Sequence, residues 1–513
     1  VATIVMDPTN PNIMFAGTGE SFAADLTATE GEGITPEGLR GDGVFKTVDG
    51  GLTWNQLPLT RTADPAVCGG GGINCPWSYV NRLAISPDGT TILAATQNGI
   101  WRSTDGGVTW NSNGTFVPVG TNPFQDIDFD PANSLNAIAS SPSGSTYSTN
   151  GGQSWLNATY TQAIVPAGGS GRVELAYAPS NPLIVYASVD QYRLPQPPPA
   201  TPAVQGDIFR SNDGGVNFTR INTAAPPGNT FLGTQGGYDN IIWVNPQDPT
   251  FIIVGGINMF RSLDSGLTWT GMANGAFGSA HSDHHMIVAH PGFNNTTNKI
   301  VYFTNDGGIY KTDDVSTATV TATTSIGWTK LNNNLGVTQF YGAAANAAGI
   351  IVGGTQDNGN LRFTGFPNSW ADVSGMGGDG GYVAVDPTDP NYFYGEYIYL
   401  QISRSIDAGV SGNSIFSGIT DAGDKTPNAQ TSNFIAPFVL DPNNANTMLA
   451  GGMSLWRSND VKAATPSWLV IKPPLTNGLV PPSNIPISAI EVNANNPDFV
   501  VVGHNFGAIF LTL

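Results

Sequence analysis

The 513-residue sequence predicts an all-β fold, a β-propeller of about ten four-stranded blades, on three observations. A short phrase returns at intervals of roughly 45–55 residues, the spacing of one blade. A pair of apolar strands joined by a Pro-rich turn precedes each copy, and no stretch shows sustained helical periodicity.

The phrase opens with Ser or Thr, continues through Asp and Gly, and closes on an aromatic residue. It reads Thr47-Val-Asp49-Gly-Gly51-Leu-Thr53-Trp54, and it returns around Asp105 with Trp110, Asn150 with Trp155, Asp213 with Phe218, and Asp264 with Trp269. Apolar pairs such as Val44-Phe45 and Ile100-Trp101 enter it as a strand. The Asp then accepts bonds from nearby backbone N–H groups and the Gly supplies positive φ, which together make a hairpin turn. The aromatic ring that follows is large enough to fill the space between neighbouring hairpins, so the phrase reads as structural.

The prelude is equally regular. Strands such as Thr3-Ile-Val-Met6, Ala176-Tyr-Ala178, Val383-Ala-Val385 and Val439-Leu440 end in turns of the type Asp-Pro-x-Asn-Pro, and a second strand follows, as in Ile252-Ile-Val-Gly255. Strand, turn, strand, turn, strand, phrase, strand is one blade. Units are expected to start near Val1, Val80, Phe124, Arg172, Asn240, His285, Phe340, Tyr382, Phe438 and Ala489.

After Lys330 the phrase decays to its front half at Ser405-Ile-Asp407 and Ser458-Asn-Asp460. This predicts two propellers, 1–333 with six recognisable blades and 334–513 with four, the alternative being a single ten-bladed ring. Val1 begins inside a strand and the last unit stops at Leu513 without its fourth strand, so the chain is expected to continue beyond both ends.

Composition narrows the partners. A formal net charge of −19 argues against a nucleic-acid or anionic-membrane surface, and no apolar run is long enough for a transmembrane helix. The two cysteines flank a Gly-rich loop, Cys68-Gly-Gly-Gly-Gly-Ile-Asn-Cys75, which lets the sulfurs meet. A disulfide, and with it an oxidising compartment, is expected over a metal pair. Sequons stand at Asn113, Asn157, Asn217, Asn294 and Asn295. The acidic insertion from Ser21 to Asp42 is a solvated loop with calcium binding as its alternative, and the Pro-rich insertion from Gln191 to Gln205 is expected to be stiff and extended.

The phrase resembles the bacterial neuraminidase repeat, or Asp-box, found in sialidases, sortilin-type receptors, photosystem assembly factors and two-propeller xyloglucan hydrolases. The whole chain resembles more closely a group of secreted bacterial propeller proteins labelled glycosyl hydrolase-like or sortilin-like. Phe15-Ala-Gly-Thr-Gly-Glu20, His281-Ser-Asp283-His-His285, Thr304-Asn-Asp306-Gly-Gly308, Gly353-Gly-Thr-Gln-Asp357-Asn-Gly359 and Gly377-Gly-Asp379-Gly-Gly381 carry that match. The resemblance implies a propeller and a secreted location, and it leaves open whether the chain catalyses anything.

A sialidase-like site needs clustered arginines and a Tyr–Glu pair. Arg102, Arg210, Arg261, Arg404 and Arg457 instead occupy one repeated position in the strand before the phrase, and only Arg172 opens an inner strand. A xyloglucanase-like site needs two carboxylates about 6.5–9.5 Å apart for inversion. The first-blade turn Gly17-Thr18-Gly19-Glu20 lacks the Arg-Thr lead-in which that resemblance implies. Candidate carboxylates are Glu20, Asp306, Asp357, Asp379 and Glu396, and turn formation is the competing role for each. Candidate ligand-binding residues are Arg172, Asp239, His281, Asp283, His285 and Gln356. If 281–285 is extended, His281, Asp283 and His285 face one way, which would suit a divalent metal; a structural His–Asp pair is the alternative. Trp77, Tyr79, Tyr238 and Trp243 are candidates for a glycan-binding groove.

The sequence thus favours a noncatalytic extracellular propeller that binds a polysaccharide or a surface protein, with no cofactor required and binding of calcium or another divalent metal as the alternative. A xyloglucanase-like glycoside hydrolase is the alternative, and a metal-dependent module at the His cluster is the third reading.

Overall fold

The computed structural model describes every residue except 22–38, 69–74, 111–122, 143, 162–170, 194–203, 222–230, 234, 334, 337, 366–369, 424–430, 476–484 and 513. Asn113, the acidic residues Asp25, Glu30, Glu32 and Glu37, and the core of the Pro-rich insertion lie outside the described residues.

The described strands form antiparallel meanders in chain order. Blade 1 runs Thr3–Met6, Met14–Gly17, Val44–Thr47 and Asn55–Gln56, and blade 5 runs Ile241–Val244, Ile252–Gly255, Met259–Ser262 and Thr270–Ala273. Inner strands open at Thr3, Val80, Asp126, Val173, Ile241, His284, Phe340, Val383, Phe438 and Ile487, within a few residues of the ten expected starts. Blade 4 gains an outer strand, Thr159–Tyr160, which lies parallel to Asn217–Arg220. The described residues up to Asn332 belong to one compact unit and those from Asn333 onward to a second.

The core lies between blades. Phe15 and Val44 of blade 1 pack with Leu83, Ile92 and Trp101 of blade 2. Leu93 and Ala95 of blade 2 pack with Ile127 and Phe129 of blade 3, and Ile253 and Met259 of blade 5 with Ile287, Val301 and Phe303 of blade 6. In the second unit Tyr394 and Ile402 of blade 8 meet Phe438 and Met448 of blade 9. Alternation along a strand sends one side-chain set to the preceding blade and the other to the next, so strands such as Ile92–Thr96 and Ile252–Gly255 are buried on both faces.

The repeated phrase forms one hydrogen-bond unit. Thr47 Oγ1 donates to Asp49 and accepts from Gly51 N, while Asp49 accepts from Thr53 N at 2.9 Å and from Thr53 Oγ1 at 2.6 Å. Asp105, Asp213 and Asp264 repeat these contacts, and Asn150 accepts Ser154 N while its amide donates to Ser154 Oγ. Of the aromatic residues, Trp110 is fully buried, and Trp54, Trp155 and Trp269 are half-buried.

A cation just before the phrase ties each of several blades to the next. Lys46 Nζ donates to Gly106 O at 3.0 Å, Arg102 Nε to Gly151 O at 2.7 Å, Arg362 Nε to Ala408 O at 2.6 Å, and Arg404 Nη1 to Val461 O and Ala463 O at 2.7 and 2.6 Å. Charge-assisted bonds to a neighbour's turn carbonyls register the blades against one another.

Cys68 and Cys75 are joined by a disulfide with Cα atoms 4.9 Å apart. No helix among the described residues is long and apolar enough to cross a membrane.

Candidate functional site

In the first unit, three consecutive inner-strand openings converge. Arg172 precedes the inner strand of blade 4, Tyr238 and Asp239 precede that of blade 5, and His281 through His285 lead into that of blade 6, whose next turn carries Asp306. Local backbone sets each side chain. Tyr238 N and Asp239 N both donate to Gln235 O, Asp283 adopts φ 62° and Asp306 N donates to Asp283 O. Gly307 is required where it stands, because a Cβ there would come within 2.3 Å of His281 Cβ.

Asp306 is the hub. It takes His285 Nε2 at 2.5 Å and the Tyr238 hydroxyl at 3.1 and 3.2 Å, while the Tyr238 and His285 rings meet edge to face at 4.8 Å. An Asp283 carboxylate oxygen lies within 4.8 Å of one from Asp306. Burial, then the Asp306 charge, pushes the Asp283 carboxyl up to about 6, against the pull of His281. Asp239 lies beneath, fully buried, and is driven well above the carboxylate range by desolvation and by Asp283. Raised in this way, the Asp283 carboxyl can donate or accept a proton near neutral pH.

Arg172 is a strut. Its side chain is buried, its guanidinium bonds Glu174 at 2.9 Å, and Nη1 donates to the carbonyls of Gly237 and Tyr238. Glu174 also holds Arg82 at 2.7 Å, and Arg82 reaches Asp126 at 3.0 Å, so one charge network crosses the inner strands of blades 2, 3 and 4. The guanidinium therefore fixes the Tyr238–Asp239 loop and is not presented to solvent.

The expected metal trio does not form. The strand begins only at His284 and the positive φ of Asp283 breaks the alternation that would align His281, Asp283 and His285. His285 turns to Asp306, His281 Nδ1 lies 3.1 Å from Ser282 O, and neither imidazole joins a ligand-spaced cluster among the described residues. His284 is fully buried and held neutral, pushed down to about 3 by burial and the two flanking imidazoles.

In the second unit, Asp379 Oδ1 accepts Asp357 N at 2.9 Å, joining two turns. Gln356 flanks this contact, its N–H donating to Gln339 O. The glycines around Asp379 allow backbone to lie on backbone: a Cβ at Gly380 would stand 2.5 Å from Gly359 O, and one at Gly354 would stand 2.1 Å from Gly381 O. Glu396 is fully buried and accepts Leu400 N and Ala436 N at 2.9 Å and Tyr382 N at 3.3 Å. That arrangement ties three segments together and leaves no face for a substrate. Glu20 sits in blade 1, its backbone paired with Leu39.

The groove expectation fails for two aromatics. Trp77 and Tyr79 are buried, and Trp77 packs against Trp101 and Trp110 at 5.2 and 5.1 Å. Sequence reasoning passed over Glu174 and gave Tyr238 no part in binding Asp306. Aligning the blades by inner-strand opening places Tyr238-Asp239 one blade before Ser282-Asp283, a signal that was present.

No family model matches the chain. A xyloglucanase from Paenibacillus sp. is 26% identical over 264 residues, which cover 44% of this chain and 23% of that protein. Xyloglucanase Xgh74A of Acetivibrio thermocellus is 33% identical over 134 residues, covering 25% of this chain and 13% of that one. The matches therefore span less than a quarter of either relative. The GH74 enzyme of Niastella koreensis shares the fold, with a TM-score of 0.53 at 17% identity over all of this chain and 76% of its own. The chain is an all-β propeller protein whose sequence relatives are xyloglucanases.

Proposed function

We propose that the chain is a glycoside hydrolase acting on β-glucans of the xyloglucan type, with Asp283 as a proton donor. The observation that carries this reading is the Asp283–Asp306 pair. One carboxyl is pushed up to about 6, so it retains its proton under mildly acidic conditions, and the other is paired with His285 2.5 Å away. Glycosidic cleavage needs such an acid together with a second carboxyl group. The xyloglucanase relatives support the substrate class. The disulfide supports action outside a reducing compartment.

Glycan binding without cleavage is the second reading, and the spacing excludes inversion by this pair. Oxygens within 4.8 Å leave no room for the water an inverting pair must hold between them, so Asp283 and Asp306 cannot form such a pair by themselves. Reducing-sugar release from xyloglucan and a panel of β-glucans, measured for wild type, Asp283→Asn and Asp306→Asn, separates the two. The hydrolase reading expects release from at least one glucan and loss of at least about 100-fold in Asp283→Asn. Release unchanged by both substitutions refutes the site, and no release with retained glycan binding refutes hydrolysis.

A further inference from the structure

Two carboxyls meet in the first unit without a donor between them. Asp239 is fully buried, and neither of its oxygens receives a hydrogen bond from any N–H or O–H among the described residues. The group within hydrogen-bonding reach is the carboxyl of Asp283. Two carboxylates repel, whereas a carboxyl and a carboxylate bond strongly, so this contact exists only if the pair holds a proton. The more deeply buried member keeps it, because burial penalises the charged form.

We propose that Asp239 is a positioning residue, a neutral buried acid whose O–H donates to Asp283 and fixes the orientation of its carboxylate. This rests on the role given to Asp283 above. The pair shares one proton at neutral pH and takes a second on acidification, so it titrates as a unit. The charged and titratable groups facing it are Asp306, Arg172, His281 and His285, and Arg172 is already committed to Glu174. Asp283 holds a positive φ of 62°, a backbone conformation that non-glycine residues adopt sparingly.

The test counts protons. The neutral carboxyl of Asp239 is buried in the folded chain and ionised in the unfolded chain, so unfolding releases its proton at pH 7. Calorimetric unfolding in buffers of different ionisation enthalpy is expected to show about one proton fewer released by Asp239→Asn than by wild type. Equal release overturns the proposal. If Asp239→Asn does not fold, Asp283→Asn serves, because its amide donates to Asp239 and lets that carboxyl ionise; release undiminished in that variant also overturns it. These counts need no hydrolytic activity, so they stand whether or not the hydrolase reading does. Where activity is found, Asp239→Asn is expected to preserve the pH profile by keeping a donor, and Asp239→Ala to move its Asp283 limb. Profiles unchanged in both variants refute a positioning role.

Discussion

Glu396 is the sharpest place to perturb the second unit. Its carboxyl is fully buried, and burial outweighs three backbone N–H donors to push it up from the ordinary 4.5 to about 8. A folded value above the unfolded one means that stability is fully present below pH 4.5 and is lost as pH rises through 8. At about 1.36 kcal/mol per pH unit, the loss across that window is ~5 kcal/mol at most. Glu396→Gln carries no titrating proton, so its stability should be flat over the same range. Its amide N–H₂ meets at least one of the three backbone donors, which costs about 1–3 kcal/mol at pH 5. The variant should therefore be less stable than wild type at pH 5, and the difference should shrink or reverse by pH 9. Urea denaturation from pH 5 to 9, read by hydrogen exchange in peptides covering 393–396 and 438–441, measures this. A wild-type curve that is flat from pH 5 to 8, or a Gln variant with the same slope, would refute the assignment of Glu396 as a buried tie.

Arg404→Ala removes two charge-assisted bonds to blade 9 and is expected to cost about 2 kcal/mol, with Arg404→Lys recovering part of it, as read by urea midpoints. A null effect of the Ala variant would remove the inter-blade cation as a source of stability. Asp264 is held down to about 2 by the Thr268 hydroxyl and backbone N–H, so its contribution is present above the ordinary carboxylate range and lost as pH falls through 2. Asp264→Asn should be nearly neutral at pH 7, because in the equivalent turn Asn150 accepts Ser154 N and donates its amide N–H to Ser154 Oγ, and should weaken the acid dependence of the melting temperature. An unchanged acid limb would contradict this.

The fold was legible because a repeat states its period many times. Ten inner-strand openings were placeable from Pro-rich turns and apolar pairs, because the second strands that follow, such as Ile92–Thr96 and Ile252–Gly255, are buried along their whole length. The fading of the phrase after Lys330 misled in one respect. Asp407 keeps the full network, accepting Ser411 N at 2.9 Å and Ser411 Oγ at 2.6 Å, and Asp460 takes Ser467 N across a longer turn. At Asp407 the pattern loses its aromatic residue while its hydrogen bonds persist, and at Asp460 the longer turn still ends in a buried aromatic, Trp468. The parallel strand Thr159–Tyr160 was invisible, because two residues carry no period.

The site was half legible for a related reason. His281-Ser-Asp283-His284-His285 announced itself by density, but its geometry turned on one backbone angle that composition does not encode. The acids differ most in what surrounds them. Asp49 and Asp264 stand in turns that bring three donors to the carboxylate and hold it down to about 2. Asp283 also sits beside a turn, but its pocket brings two further acids, and the same side chain is pushed up to about 6. The segments differ in sequence, His281-Ser-Asp283-His284-His285 against the Gly-containing turns at Asp49 and Asp264, yet neither spells out the carboxyl's neighbours. What separates them is which residues the next blade delivers: the structural aspartates are satisfied within their own hairpin, whereas Asp283 depends on Asp239 from blade 5 and on Asp306 from the following turn. An acid whose partners lie within four residues can be assigned from sequence, and one whose partner is a blade away can be assigned only after the blades are set in register.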